Sequence, residues 1–410
     1  MKLRDYQSII VKQGTEVLKK HRFLYLAMEV RTGKTLTSLA MSLALPVSNL
    51  LFITKKKAIP SILSDYEMLN PHYKITVINY ESLHKVSHET KWDMVICDEA
   101  HSMGAFPKPS RRAKLVKELL VKFNPFVILL SGTPTPESYS QMYHQVYGIR
   151  TNPFKQHVNF YKFAKQYVEV KQKKIGPHTI NDWSHGLQTI LDHMKPYTIN
   201  YTQKEAGFVV NTEEEILNVS VSDLTKSLVK KLTRDRVVEG ESNVILADTA
   251  VKLMSKLHQL YSGTIKFEGG ESMVIDLSKA EYIRKHFKNK KIAIFYKFKE
   301  ELNALKKVFK KSLCTELDEF NSTNKNIALQ IVSGREGISL KNAQALVYYN
   351  IDFSATSYWQ SRDRMTTKDR LYNKIYWVFS SDGIENDIYK SVIKKKDYTL
   401  NHFKKDLLIL

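Results

Sequence analysis

The sequence predicts an α/β protein: two parallel-sheet units with a mostly helical segment between them. Three observations predict it. Short apolar runs alternate with amphipathic stretches through residues 1–152, the pattern of strands joined by crossover helices. Helix-like patterns dominate residues 153–272, and the alternation returns over 273–410. The chain has 410 residues, room for two to three domains at about 100–200 residues each.

In the first unit, Phe23–Ala27, Leu50–Thr54, Ile75–Ile78, Met94–Cys97 and Val127–Leu130 are each apolar and bounded by polar or turn residues, so they read as buried strands. Leu36–Leu45 and Ser110–Phe123 carry helical patterns between them. In the middle segment Val158–Val168 and Asp223–Arg236 are amphipathic, and Gly269-Gly270 marks a turn. In the last unit Lys291–Phe295, Ile327–Ile331, Ala345–Tyr348 and Lys374–Phe379 read as strands, with Lys299–Lys310 as the helix after the first.

Charge points to the partner. Lys and Arg number 63 against 42 Asp and Glu, a net charge of +21. Such a surplus implies a polyanion, nucleic acid first among them. Hydrophobic residues make up 43% of the chain, enough for real cores. Two distant cysteines, Cys97 and Cys314, form neither a disulfide framework nor a zinc ribbon and suit a reducing compartment. The N-terminus has no apolar signal core, and no apolar run approaches the ~20 residues that span a bilayer. A cytoplasmic location without a membrane partner is the expectation.

Three motifs carry chemistry. Thr32-Gly33-Lys34-Thr35 lies between a strand and a helix, the setting of a phosphate-binding loop. There the helix N-terminus cradles phosphate oxygens, Lys34 pairs with the β- and γ-phosphates, and the Thr35 hydroxyl ligates Mg²⁺. The full loop pattern has Gly at position 28, where this chain has Met28. Asp98-Glu99-Ala100-His101 follows the strand Met94–Cys97, so its carboxylates sit at the strand's C-terminal end, where α/β sheets bind ligands. Asp98 would hold Mg²⁺ and Glu99 would orient the attacking water. A solvated acidic helix start is the plain rival reading. Ser131-Gly132-Thr133-Pro134 ends the next strand and, alone, would be an ordinary turn.

In that order the three motifs resemble those of superfamily 2 helicases and translocases, and their flanks resemble the Snf2-like branch. Leu3-Arg4-Asp5-Tyr6-Gln7 resembles the family's opening motif, and Glu29–Thr35 its phosphate loop. Asn79-Tyr80-Glu81 resembles its Thr-Tyr-Glu element on the nucleic-acid strand, and Leu130–Thr135 its third motif. In the second unit, Ile292–Phe295 resembles motif IV, Gly334–Leu340 motif V, and Gln360-Ser-Arg-Asp-Arg364 the start of motif VI. The family's second motif VI arginine falls on Thr367 here, and Pro196–Asn200 lacks the family's usual basic residues. The likeness runs from Leu3 to about Tyr389 and also resembles small phage-encoded DNA helicases.

The resemblance implies two RecA-like domains that use ATP and Mg²⁺. It implies an ATP site of Arg4, Gln7, Arg31, Thr32, Gly33, Lys34, Thr35 and Gly337. Lys34, Asp98, Glu99, Gln360 and Arg364 would be catalytic, with Arg370 replacing the missing finger and Thr35 and Asp98 binding the metal. His101, Ser131, Gly132 and Thr133 would couple the domains. Lys55, Lys56, Lys57, Asn79, Tyr80, Arg111, Arg112, Ser333 and Arg335 would contact nucleic acid. Duplex or branched DNA is the expected track, in a bacterial host cytoplasm if the source is a phage. An RNA-dependent ATPase, or a basic scaffold that uses ATP as a switch, are the alternatives.

Overall fold

The structure is a computed structural model that describes residues 3–87, 89–175, 178–207, 211–240, 243–334, 338–366, 370 and 372–394. It divides into two compact units, 1–208 and 209–410. Each is a RecA-like parallel sheet of six strands.

In the first unit the sheet strands are β1 (Phe23–Met28), β2 (Asn49–Thr54), β3 (Lys74–Asn79), β4 (Met94–Cys97) and β5 (Phe126–Leu130). A hairpin follows, β6 (Lys171–Ile175) with β7 (His178–Asp182), and then β8 (Thr198–Tyr201) returns to the sheet. The order is β3-β2-β4-β5-β1-β8, all parallel. Alternate side chains feed two cores. Tyr25, Leu51, Ile53, Val95, Cys97 and Leu129 enter one, and Leu24, Leu26, Phe52, Met94, Ile96 and Ile128 the other. Burial on both faces is why these strands read as continuous apolar runs.

In the second unit β9 (Asn211–Val219) opens the chain. Two short hairpins follow, β10 (Val237–Glu239) with β11 (Val244–Leu246), and β12 (Thr264–Lys266) with β13 (Ser272–Val274). The remaining sheet strands are β14 (Ile292–Tyr296), β15 (Leu313–Cys314), β16 (Asn326–Gln330), β17 (Ala345–Tyr348) and β18 (Tyr372–Ser380), in the order β15-β16-β14-β17-β18-β9. Gly270 takes φ 93° in the β12–β13 turn, as expected of Gly-Gly.

The segment 153–272 differs from the sequence reading. It is not a separate mostly helical bridge. Its first part ends in β8, an edge strand of the first sheet, and its second part begins with β9, an edge strand of the second. The chain therefore divides near 208, not at 152 and 272. The acidic run in β9, Asn-Thr-Glu-Glu-Glu-Ile-Leu-Asn-Val, hides a strand because an edge position leaves much of it exposed. Among the described residues, no helix is long and apolar enough to cross a membrane.

Phe52 is fully buried at the middle of β2. Phe52→Ala should cost about 3–5 kcal/mol, read as a lower denaturant midpoint. A loss under about 1 kcal/mol would contradict this packing.

Candidate active site and its neighbours

Five parallel strands end on one edge of the first sheet, and the motifs follow those ends. The phosphate loop leaves β1. Its residue Arg31 takes φ 64° and Gly33 φ 80°, so the backbone turns twice through left-handed conformations before the helix Lys34–Ser42. Thr32 is buried, and its hydroxyl donates to the Glu29 carbonyl at 2.7 Å. No side chain caps the helix start, which leaves its first N–H groups to an anion.

Arg4 and Gln7 lie at the start of the helix Asp5–His21. Gln7 Oε1 accepts from the Arg4 backbone N–H at 3.0 Å, and its Nε2 points at the Gly33 carbonyl at 3.5 Å. A Cβ on Gly33 would meet that Nε2 at 2.3 Å. Glycine is thus favoured by its φ, and any side chain there would also displace the Gln7 amide. The Tyr6 hydroxyl donates to the Thr32 carbonyl at 3.0 Å, while its ring stacks on Tyr201 with centroids 4.9 Å apart.

β8 carries a brace that sequence reasoning missed. The Gln203 backbone N–H donates to Glu29 Oε2 at 2.7 Å, and its Nε2 donates to the Val30 carbonyl at 2.9 Å. The loop is therefore held from below by Tyr6 and from the side by Gln203. The strand pairing Met28↔Tyr201 creates this contact, and no local pattern around residue 203 announces it.

Asp98 and Glu99 leave β4. Thr54, at the end of β2, donates its hydroxyl to Asp98 Oδ2 at 2.9 Å. The Tyr80 hydroxyl donates to the Asp98 carbonyl at 2.7 Å. Burial is the largest cause that pushes the Asp98 carboxyl up, to about 6, and the Glu99 charge adds to it; Lys34 and the Thr54 hydroxyl pull the other way. Lys34 is thus close enough to act on Asp98. A partly buried carboxylate beside a second one gains most from a hard divalent cation, so the chemistry of Asp98 fits a Mg²⁺ ligand. Glu99 takes φ 51°. His101 Nδ1 lies 3.3 Å from Glu99 Oε2 and 3.0 Å from Ser131 Oγ. Ser131 Oγ also accepts from the Thr133 N–H at 3.1 Å, and a Cβ on Gly132 would sit 3.4 Å from the Val30 nitrogen. His101, Ser131, Gly132 and Thr133 therefore join the acidic motif to the phosphate loop within one unit.

The nucleic-acid residues divide. Lys55 is half-buried, and Lys56 and Lys57 are exposed, just past β2. Asn79 donates to Glu81 at 3.0 Å, and Arg111 is exposed. Tyr80 does not reach a nucleic-acid strand: it is 1% exposed, and serves as a strut under Asp98. Arg112 is paired with Glu81 and lies over the Tyr80 ring, so its charge is largely spent.

In the second unit, motif V falls partly on Arg335 and Gly337, which lie outside the described residues, as do the side chains of Ser333 and Gln360. Arg364 is buried, and its carbonyl accepts from the Leu340 N–H at 2.9 Å. Arg362 pairs with Glu214 of β9 at 2.6 Å. The same carboxylate accepts from Tyr358, Trp377 and Tyr389. Arg370 is a correction to the sequence reading. Its guanidinium donates to the carbonyls of Lys341, Ala343, Gln344 and Tyr372, at 2.8–3.3 Å. A fork tied to four carbonyls pins the entry to β17 and does not serve as a substitute finger.

Two parallel six-stranded sheets, the first with a phosphate-loop motif and an acidic motif at its strand ends, define an α/β core of the helicase and translocase type. Residues 49–264, more than half of the chain, match the SNF2-related domain, and the chain belongs to that family, the Snf2-like branch of superfamily 2 helicases and translocases. A similar solved structure is the Sulfolobus solfataricus SWI2/SNF2 ATPase core in complex with double-stranded DNA, at 15% identity and a TM-score of 0.43, covering 99% of this chain and 92% of that one. No curated protein matches.

Two outcomes follow from these contacts. With its folded pKa raised above the ordinary value, Asp98 makes the nucleotide-free protein lose stability as pH rises from about 4 through about 6. Asp98→Asn should remove that pH dependence and raise the melting temperature near pH 7.5, by roughly 1–3 kcal/mol of stability; an unchanged or lower Tm would overturn the assignment. Arg370→Ala should cost about 1 kcal/mol by taking the partner of the part-buried Ala343 carbonyl, the other three acceptors being open to water, measured by denaturant titration, and Arg370→Lys should not restore it because a point charge lacks the fork.

Proposed function

We propose that this chain hydrolyses ATP with Mg²⁺ and couples the cycle to movement along or remodelling of duplex DNA, branched or replicating phage DNA included. One observation supports this most: Lys34, Asp98 and Glu99 gather at the C-terminal edge of one parallel sheet, with His101 linking Glu99 to Ser131. Lys34 and the helix N-terminus would bind the phosphate chain. Asp98, steadied by Thr54, would hold the metal, which when bound neutralises β- and γ-phosphate oxygens. Glu99 would orient water, and His101 would fix the Glu99 carboxylate and report its state to Ser131. Arg364 is the proposed catalytic cation of motif VI. Lys55, Lys56, Lys57 and Arg111 would contact phosphates, with Asn79 as a neutral donor beside them, consistent with a net charge of +21.

The test is ATP turnover with duplex DNA, single-stranded DNA, a branched junction and RNA as stimulators. Duplex DNA should stimulate most; greater stimulation by RNA would move the reading to an RNA-dependent ATPase, and none by any of them to a scaffold. Lys34→Ala should abolish hydrolysis and weaken ATP binding. Glu99→Gln should keep binding but slow hydrolysis by 10²-fold or more, on the order of a lost general base. Parent-rate hydrolysis by Glu99→Gln would remove Glu99 from its role.

A further inference from the structure

The second unit carries a basic groove on the edge of its sheet opposite the ends that lead to motifs V and VI. Lys291, Asn326 and Gln344 stand at or just before the starts of β14, β16 and β17, and line a cavity of about 970 Å³. That size is at the top of the ~300–1,000 Å³ range of ligand pockets. Motif IV is β14 itself and starts beside Lys291, whereas motif V begins after β16 and motif VI after β17; five residues of β14 at ~3.3 Å per residue set ~17 Å between the groove and the edge where those strands end.

The groove walls carry uncompensated positive charge. Lys285, Lys288 and Lys290 are exposed and line it, and among the described residues none of the three has an ion-pair partner. Many other lysines of this chain do, as in Lys279–Glu385, Lys297–Asp352 and Lys325–Glu319. Arg284 is fixed on the same wall: one guanidinium nitrogen donates to the Phe309 carbonyl at 3.2 Å and to Ser312 Oγ at 2.9 Å. Against these cations the lining holds one acid, Glu281. The helix Ser278–His286 ends here, and its dipole accounts for cations in its last turn, Arg284 and Lys285. It does not account for Lys288 and Lys290, which follow the helix. Asn289, with φ 63°, turns the chain between them and keeps both on the groove.

Amides complete the surface. Gln344 Oε1 accepts from the Lys291 N–H at 2.8 Å, which orients its amide and leaves its NH₂ for an acceptor. Asn324 lines the same wall. A row of exposed cations, Arg284 held in place and neutral amide donors beside them suit the repeating phosphate and sugar oxygens of a nucleic-acid backbone, to which such side chains commonly donate.

We propose that this groove is a second DNA-backbone site, through which the second unit holds duplex at the edge of its own sheet opposite the ends that lead to motifs V and VI. The inference rests on the DNA reading above. The experiment uses the full chain with charge-reversed Lys285→Glu/Lys288→Glu/Lys290→Glu, and a neutral Lys285→Gln/Lys288→Gln/Lys290→Gln set in case reversal disturbs folding, each checked for a parent-like melting temperature. Duplex affinity is measured from 50 to 200 mM salt. Removing up to three phosphate contacts should weaken binding roughly tenfold or more at the lower salt and flatten the log–log salt slope by about 2–3, with DNA-free ATP turnover unchanged. Parent protein that binds no DNA would sink the functional reading itself. Parent-like affinity and slope in both variants, with the parent binding DNA, would overturn the groove alone. So would loss of polyglutamate binding in the variants with DNA binding intact, which would assign the groove to an acidic protein segment.

Discussion

The first unit is organised around the cost of holding Asp98 charged. A carboxylate at the end of a buried strand, next to a second carboxylate, is unfavourable unless the fold supplies opposing groups. Here they come from neighbouring strand ends, Thr54 from β2 and Lys34 from the loop after β1, while the Tyr80 hydroxyl, from the segment after β3, holds the Asp98 backbone carbonyl in place. Only a parallel sheet delivers those ends to one edge. Register does the rest, since Ile53 pairs with Cys97 and so sets Thr54 beside Asp98. The unit thus keeps a carboxyl above its ordinary range, a strained charge that a divalent cation would relieve.

The second unit solves a related problem with a different balance. Glu214 on an edge strand gathers three neutral donors and the Arg362 cation. The carboxylate is satisfied rather than strained. Its role is to clamp the helix Ala355–Arg362, which carries Gln360, against β18 and the helix Glu385–Val392. Glu301 does the same for the helix Lys299–Phe309, accepting from the backbone N–H groups of Lys297 and Phe298 and from Asn350. Buried acids here fix helices; in the first unit they are exposed to a ligand edge.

Nine sheet strands were legible from the sequence as short apolar runs: eight lie largely buried, and β3, an edge strand with Lys74 and Thr76 exposed, was legible from Ile75, Val77 and Ile78. The edge strands β8 and β9 were not: they carry polar residues on their open sides, and their pairing partners lie 173 and 161 residues away in the chain, from Met28 to Tyr201 and from Asn211 to Tyr372. Lys34, Asp98, Glu99 and His101 were legible because their chemistry demands fixed spacing. Gln203 and Glu214 were not, since each acts through a long-range contact that leaves no local pattern. Tyr80 was misread for a related reason: its motif names the segment but not which way the ring faces, and the ring faces the core.

Motif VI shows how far contacts can narrow a role that spacing leaves open. Four cations lie near the missing second arginine: Arg362, Arg364, Lys368 and Arg370. Arg362 is neutralised by Glu214, and Arg370 is spread over four carbonyls. Recruiting either to a phosphate would break those contacts and take a partner from the partly buried Glu214 carboxylate or the part-buried Ala343 carbonyl. That cost, about 1–3 kcal/mol per unsatisfied group, would be subtracted from whatever the cation contributed to the transition state. Lys368 lies outside the described residues. Arg364 sits in the turn Asp363–Met365, whose backbone is tied to Leu340 at the exit of motif V. A displacement of motif V would therefore move Arg364 directly, and that linkage makes it the cation best placed to sense the state of the neighbouring loop.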